Sequence, residues 1–106
     1  MKICITSTGD NLEAGIDPRF GRAAYFLLVD TETMQFKAIK NPNVDAAGGA
    51  GINSAQLVAK EGAEAVLTGN LGPNATNTLS SLNLKTFLGA SGTVKEAVEK
   101  FKAGNL

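Results

Sequence analysis

The sequence predicts an α/β fold: a five-stranded mixed sheet ordered 3-2-1-4-5, its second strand antiparallel, with helices on both faces. Three observations point there. The residues before about 41 carry short apolar runs without helical period, whereas those beyond 50 alternate helical stripes with short strands. The nearly continuous apolar run Ala24–Asp30 (AYFLLVD) needs cover on both of its faces. With 106 residues, 43% of them apolar and 19% charged, the chain suits one core, so residues 1–106 are expected to form a single domain.

The elements follow in order. Residues 2–7 (KICITS) read as a buried strand containing Cys4. Thr8 to Arg22 is a long irregular segment holding Asp17-Pro18, and a loop of this length in a small fold is usually functional. After the second strand, Thr31-Glu32-Thr33 turns the chain. Met34 to Lys40 then returns with Met34, Phe36 and Ala38 on one face, and Lys37 and Lys40 mark it as an edge strand. Beyond the glycine-rich AAGGAG (46–51), a helical stripe of Ile52, Ala55, Val58 and Ala59 is stopped by Gly62. Ala65–Thr68 is a short strand. Gly72-Pro73 opens a second helix with Ala75, Leu79 and Leu82 on one stripe and Asn83 at its stop. Leu84–Leu88 is the fifth strand. Thr93 and Glu96 fit a capping box for a third helix that buries Val94, Ala97, Val98 and Phe101 and ends before Gly104. The resulting β-β-β-α-β-α-β-α order, with right-handed crossovers, is the ribonuclease H-like layout.

Charge and residue usage exclude much. Ten basic residues balance ten acidic ones, so no global field draws the chain to nucleic acid or to a membrane. No apolar run approaches the ~20 residues needed to span a bilayer, and the MKICITSTGD start lacks a signal peptide's apolar stretch. Cys4 is the one cysteine, so no internal disulfide forms and a reducing cytoplasm is the expected setting. With no histidine, His-based triads and HExxH zinc sites are impossible. No catalytic residue and no metal-ligand set is therefore assigned.

In this layout the loops after the first, third, fourth and fifth strands meet at one sheet edge, the usual ligand position of open α/β sheets. Three helix N-termini are expected there, each contributing about half a positive charge. Arg19 and Arg22 precede the second strand at the same edge, so the constellation favours an anion. Each feature also has a plain structural reading. Glycines between strands and helices are turn devices. Phe20 could plug the top of the core while Arg19 pairs with Asp17. Asn70 and Asn74 could cap the second helix instead of donating to a ligand. Cys4 reads as a small buried apolar residue.

Three stretches, DPRFGRAAYFLLVD (17–30), GGAGINSAQLVAKEG (48–62) and TGNLGPNA (68–75), resemble the dinitrogenase iron–molybdenum cofactor biosynthesis family, and the likeness runs from Met1 to about Lys102. The resemblance implies a ribonuclease H-like fold and non-catalytic carriage or scaffolding of an anionic metal–sulfur cofactor or its precursor. The cargo would be an iron–sulfur or iron–molybdenum-type cluster, transiently bound, with metal-cofactor assembly proteins as partners. It also implies site residues, taken with the arginine, glycine and amide positions above: Arg19, Phe20, Gly21, Arg22, Gly48, Gly49, Gly51, Gly69, Asn70, Gly72 and Asn74. The chain departs from its expected cluster-carrying relatives in having no histidine and no cysteine in these loops. An anionic cluster would then be held by amides and guanidinium groups. Two other functions are open: a regulatory or partner-binding module acting through the Met34–Lys40 edge, and a nuclease. The nuclease is disfavoured, because two-metal cleavage needs converging carboxylates and neither KICITS nor AVLT supplies one.

Overall fold

The computed structural model describes residues 1–105. Its five strands are β1 (Lys2–Ser7), β2 (Tyr25–Asp30), β3 (Phe36–Lys40), β4 (Ala65–Leu67) and β5 (Lys85–Phe87). They form one sheet ordered β3-β2-β1-β4-β5, with β2 antiparallel to both neighbours and β4 and β5 parallel to β1. Three helices cover it: α1 (Ala50–Lys60), α2 (Pro73–Ser81) and α3 (Val94–Lys102). The strand order, the direction of β2 and the cover on both faces are as the sequence predicts.

Alternation along the central strands sorts side chains to two cores. Cys4, Phe26, Leu28 and Val66 point to one face, where they pack with Ala55 and Val58 of α1 and Ala75 and Leu79 of α2. Ile3, Ile5, Leu27, Val29, Ala65 and Leu67 point to the other and meet Val94, Ala97 and Val98 of α3. Phe101 of α3 closes that second core edge-on against Phe87, with ring centroids 5.2 Å apart. The two helices that start beside the longest glycine-rich loops therefore share one face, and α3 lies alone on the other.

Several expectations are corrected at element ends. Met34 is not in the third strand. It sits in the turn with a left-handed φ of 62°, its amide bonded to the Asp30 carbonyl, and its side chain joins the α3-side core, while Phe36 and Ala38 are exposed. Ile52 is also exposed. Ala50, Ser54, Ala55 and Val58 form the inward face of α1, and the Ser54 hydroxyl donates to the Gly21 carbonyl, which takes the stripe away from Ile52. At the end of α2 the chain leaves the helix at Leu82, so Leu82 stays in solvent and Leu84, beyond the left-handed Asn83, is buried instead. Leu84 and Leu88 flank β5 without belonging to it. The expected caps hold: Gly62 is left-handed after α1, and Thr93 and Glu96 form a complete capping box on α3.

Candidate anion-binding site

The long segment between β1 and β2 folds in two parts. Its first part crosses the start of α3. Ala14 and Leu12 carbonyls accept from the Val94 and Lys95 amides, Ile16 N–H donates to the Gly92 carbonyl, and Leu12 and Ile16 side chains pack into the α3-side core. With the capping box in place as well, the start of α3 is fully engaged. The expectation that three helix starts share one hollow is therefore corrected: two do, and the third is on the far face under this loop.

The second part, Asp17–Arg22, is tied to the top of the sheet. The Asp17 amide donates to the Thr6 carbonyl, and the Thr6 hydroxyl donates to the Asp17 carbonyl and sits 2.8 Å from the Thr68 hydroxyl. The Pro18 carbonyl accepts from the Asn70 amide at 2.8 Å. Gly69 passes so close beneath that a β-carbon there would lie 2.7 Å from the Pro18 α-carbon. Phe20 is buried and stacks at a tilt on Phe26 with centroids 5.6 Å apart. Gly21 then lies against the first turn of α1, and Gly51 of that turn lies against Ala75 of α2. These glycines are contact points that draw three backbone segments together.

Between them is an open hollow of about 490 Å³. One wall is Arg19–Arg22. A second is the start of α1, Ala50 and Gly51, and the third is Asn70–Ala75, leading into α2. Of the residues expected at the site, Arg19, Phe20, Gly21, Arg22, Gly51, Asn70, Gly72 and Asn74 border this space; Gly48, Gly49 and Gly69 do not. Gly49 instead caps α1 with a left-handed backbone, Gly48 precedes it in solvent, and Gly69 is spent on Pro18. Leu71, half-buried in the α1/α2-side core, also lines the hollow. Its signal was present in TGNLGPNA, as the one large apolar residue among polar and glycine neighbours.

The two helix starts facing the hollow are bare. Neither α1 nor α2 has a side-chain cap or an acidic residue in its first turn. The first helical bonds run from Asn53 to the Gly49 carbonyl and from Thr76 to the Gly72 carbonyl, so the amides of Ala50, Gly51, Ile52, Asn74 and Ala75 precede them. Asn70 and Asn74 do not cap α2, whose N-cap residue is Gly72. Both amide side chains stand at the exposed rim.

The arginines differ in their partners. Arg19 is gripped by Asp17, with Nε 3.1 Å from Oδ1 and Nη2 3.0 Å from Oδ2. Asp17 is buried and also accepts from the Arg19 and Ala24 amides. Burial pushes its carboxyl up, but the bonds and charge of Arg19 with the Ala24 amide outweigh that and hold it below the usual carboxylate range. The plain readings of Phe20 as a core plug and of Arg19 as the partner of Asp17 are both realised, while both residues still border the hollow. Arg22 donates through Nη1 to the Val44 carbonyl at 2.9 Å.

Direct metal coordination finds no support in this donor set. Cys4 is wholly buried in β1, and burial pushes its thiol far above the ordinary range, which disfavours the thiolate a metal needs. Among the described residues no three His, Cys, Asp or Glu side chains converge. No helix among the described residues is long and apolar enough to cross a membrane.

Compared with known proteins, the sequence matches the dinitrogenase iron–molybdenum cofactor family over residues 1–104. The chain belongs to that family. As a family member it resembles the orange protein of Desulfovibrio gigas, whose apo form has been solved. The two are 42% identical, the match covers 98% of this chain and 88% of that one, and the folds superpose with a TM-score of 0.94. A Thermotoga protein described as a NifB candidate is 34% identical, over 98% of this chain and 89% of that one, with a TM-score of 0.85. An uncharacterized protein of Methanocaldococcus jannaschii is 28% identical over 109 residues, spanning 100% of this chain and 89% of that protein. Membership in the dinitrogenase iron–molybdenum cofactor family ties the chain to cofactor handling, and the residues that resemble the family in sequence build the three walls of the hollow.

Proposed function

We propose that this protein is a non-catalytic carrier or scaffold for an anionic metal–sulfur cofactor or precursor, held transiently in the hollow and passed to cofactor-assembly proteins. The observation that carries the reading is the contrast among its helices. The two starts that open on the hollow have no cap, while the one turned away has a complete capping box. An uncapped start presents unpaired amides and about half a positive charge, which a bound anion satisfies. The guanidinium-bearing wall adds further positive charge. The cargo is held by amides and charge, since the donor set lacks soft ligands. Such attachment also suits release, because no metal–ligand bond has to break.

Two comparisons support the reading. The family is that of the iron–molybdenum cofactor, and the orange protein is described in an apo form, which marks it as a protein with a bound state. The lone buried Cys4 agrees with a reducing cytoplasm as the working compartment. A nuclease is not favoured, even granting the ribonuclease H-like strand order. The tops of β1 and β4 carry the hydroxyls of Thr6, Ser7 and Thr68 where two-metal chemistry needs carboxylates.

Titration of the isotope-labelled protein with tetrathiomolybdate, followed by amide NMR, tests the reading. Saturable shifts are expected at Arg22, Gly51, Ile52, Asn74 and Ala75. Shifts absent from all of these, or confined to the α3 face, overturn it.

A further inference from the structure

We propose that, of the two arginines on the hollow's wall, Arg22 sets its preference for a doubly charged anion, whereas Arg19 is cancelled by Asp17 and acts as a strut of that wall. This rests on the anion-carrier reading and divides the labour within it. Sequence treats the pair as equals; their surroundings do not.

A guanidinium carries five N–H donors and one delocalised charge. Arg19 commits its Nε–Nη2 edge to Asp17, a buried carboxylate fixed in turn by two backbone amides. Charge and countercharge lie 3.0 Å apart, so a ligand in the hollow meets a dipole. Arg22 has a neutral partner, the Val44 carbonyl, which leaves its charge whole and most of its donors available. Among the described residues the ion pairs are Arg19–Asp17 and Lys37–Glu61, and Arg22 enters neither, although Asp45 follows Val44 directly. Two bare helix starts and one uncompensated guanidinium together present about two units of positive charge. A dianion matches that sum, and Coulomb attraction to Arg22 is twice as large for a dianion as for a monoanion of the same shape.

The experiment compares tetrathiomolybdate, a tetrahedral dianion, with tetrathioperrhenate, a tetrahedral monoanion, by calorimetric titration of the wild-type protein and three variants. Arg22→Gln is expected to weaken the dianion roughly tenfold and the monoanion roughly threefold, which narrows the ratio between them. Arg22→Lys keeps most of that ratio, because the charge remains. The double variant Asp17→Asn/Arg19→Gln, which removes charge and countercharge together, weakens either anion by no more than about threefold and leaves the ratio near the wild-type value. The ratio is measured on one preparation, so a smaller folded fraction cancels out of it. An equal narrowing of the ratio in the Asp17/Arg19 double variant and in Arg22→Gln, or an intact ratio in Arg22→Gln, overturns the proposal while the carrier reading stands. Wild-type protein that binds neither anion overturns both.

Discussion

Gly21 lies so close to Gly51 that a β-carbon on Gly21 would sit 2.8 Å from the Gly51 amide nitrogen and 2.9 Å from its α-carbon. Both neighbours are backbone, so neither can swing aside. The contact joins the arginine-bearing wall to α1, and the Gly21 carbonyl is held there by the Ser54 hydroxyl and the Asn41 amide side chain.

Gly21→Ala is therefore expected to destabilise the fold by about 1–3 kcal/mol, the usual penalty for forcing one carbon into a packed site. Thermal melting measures that loss, and tetrathiomolybdate affinity should fall with it as the wall shifts off α1. A melting midpoint equal to wild type would show that the contact is loose.

The Asp17–Arg19 pair gives an acid-limb prediction. The native Asp17 carboxyl lies below its usual value of 3.8, so the pair stabilises the fold above that pH and the contribution is lost as pH falls through the lowered native value. Asp17→Asn should flatten this part of the stability–pH curve. At neutral pH it should also cost about 1–3 kcal/mol, because the Arg19 and Ala24 amides lose a charged acceptor. Denaturant melts between about pH 2 and pH 7 report both effects; an unchanged acid limb would mean that other carboxylates govern it.

Cys4 offers a check on coordination. Its thiol is buried in β1 beneath α1 and α2, so the native protein should react with a thiol reagent only at the rate of opening, and fully once denatured. Cys4→Ala should cost about 1–2 kcal/mol of stability and leave thiometallate affinity within about twofold of wild type. A large loss of affinity in a folded Cys4→Ala protein would make sulfur ligation the better account.

Thr93 tests the two-sidedness of the helix starts. Removing its hydroxyl breaks the capping box, in which Oγ1 accepts from the Glu96 amide at 3.1 Å and the Glu96 carboxylate accepts from the Thr93 amide at 2.9 Å. The Thr93 amide, followed by the Thr93 hydroxyl, holds the Glu96 carboxyl below its ordinary range. Thr93→Ala should cost about 1 kcal/mol, read by chemical denaturation, while anion titration stays at the wild-type value. A parallel loss of binding would return α3 to the site.

Much of the fold was legible because its signals are local. The buried runs of β1 and β2, the helical stripe through Ala55 and Val58, and the Thr93–Glu96 box each act within a few residues. The misplacements arise where distant segments decide. Ile52 keeps the right spacing with Ala55 and Ala59, yet the inward face of α1 is centred on Ala50, Ser54, Ala55 and Val58, which turns Ile52 to solvent. Leu82 has the period of α2, but the helix stops just short of it. The hollow's walls were legible as motifs. The fate of the α3 start was not, because it depends on Leu12–Ile16 crossing from another part of the chain, and no local pattern encodes that path. The inequality of Arg19 and Arg22 was half visible, since Asp17 stands two residues before one of them.

The sheet separates two kinds of freedom. The α1/α2 side supports the hollow, and its inner residues answer both to packing and to the shape of whatever is carried. The α3 side answers to packing alone. Substitutions there can raise or lower thermal endurance without altering which cargo is accepted, so a hardier carrier can be sought on one side of the molecule with selectivity untouched on the other.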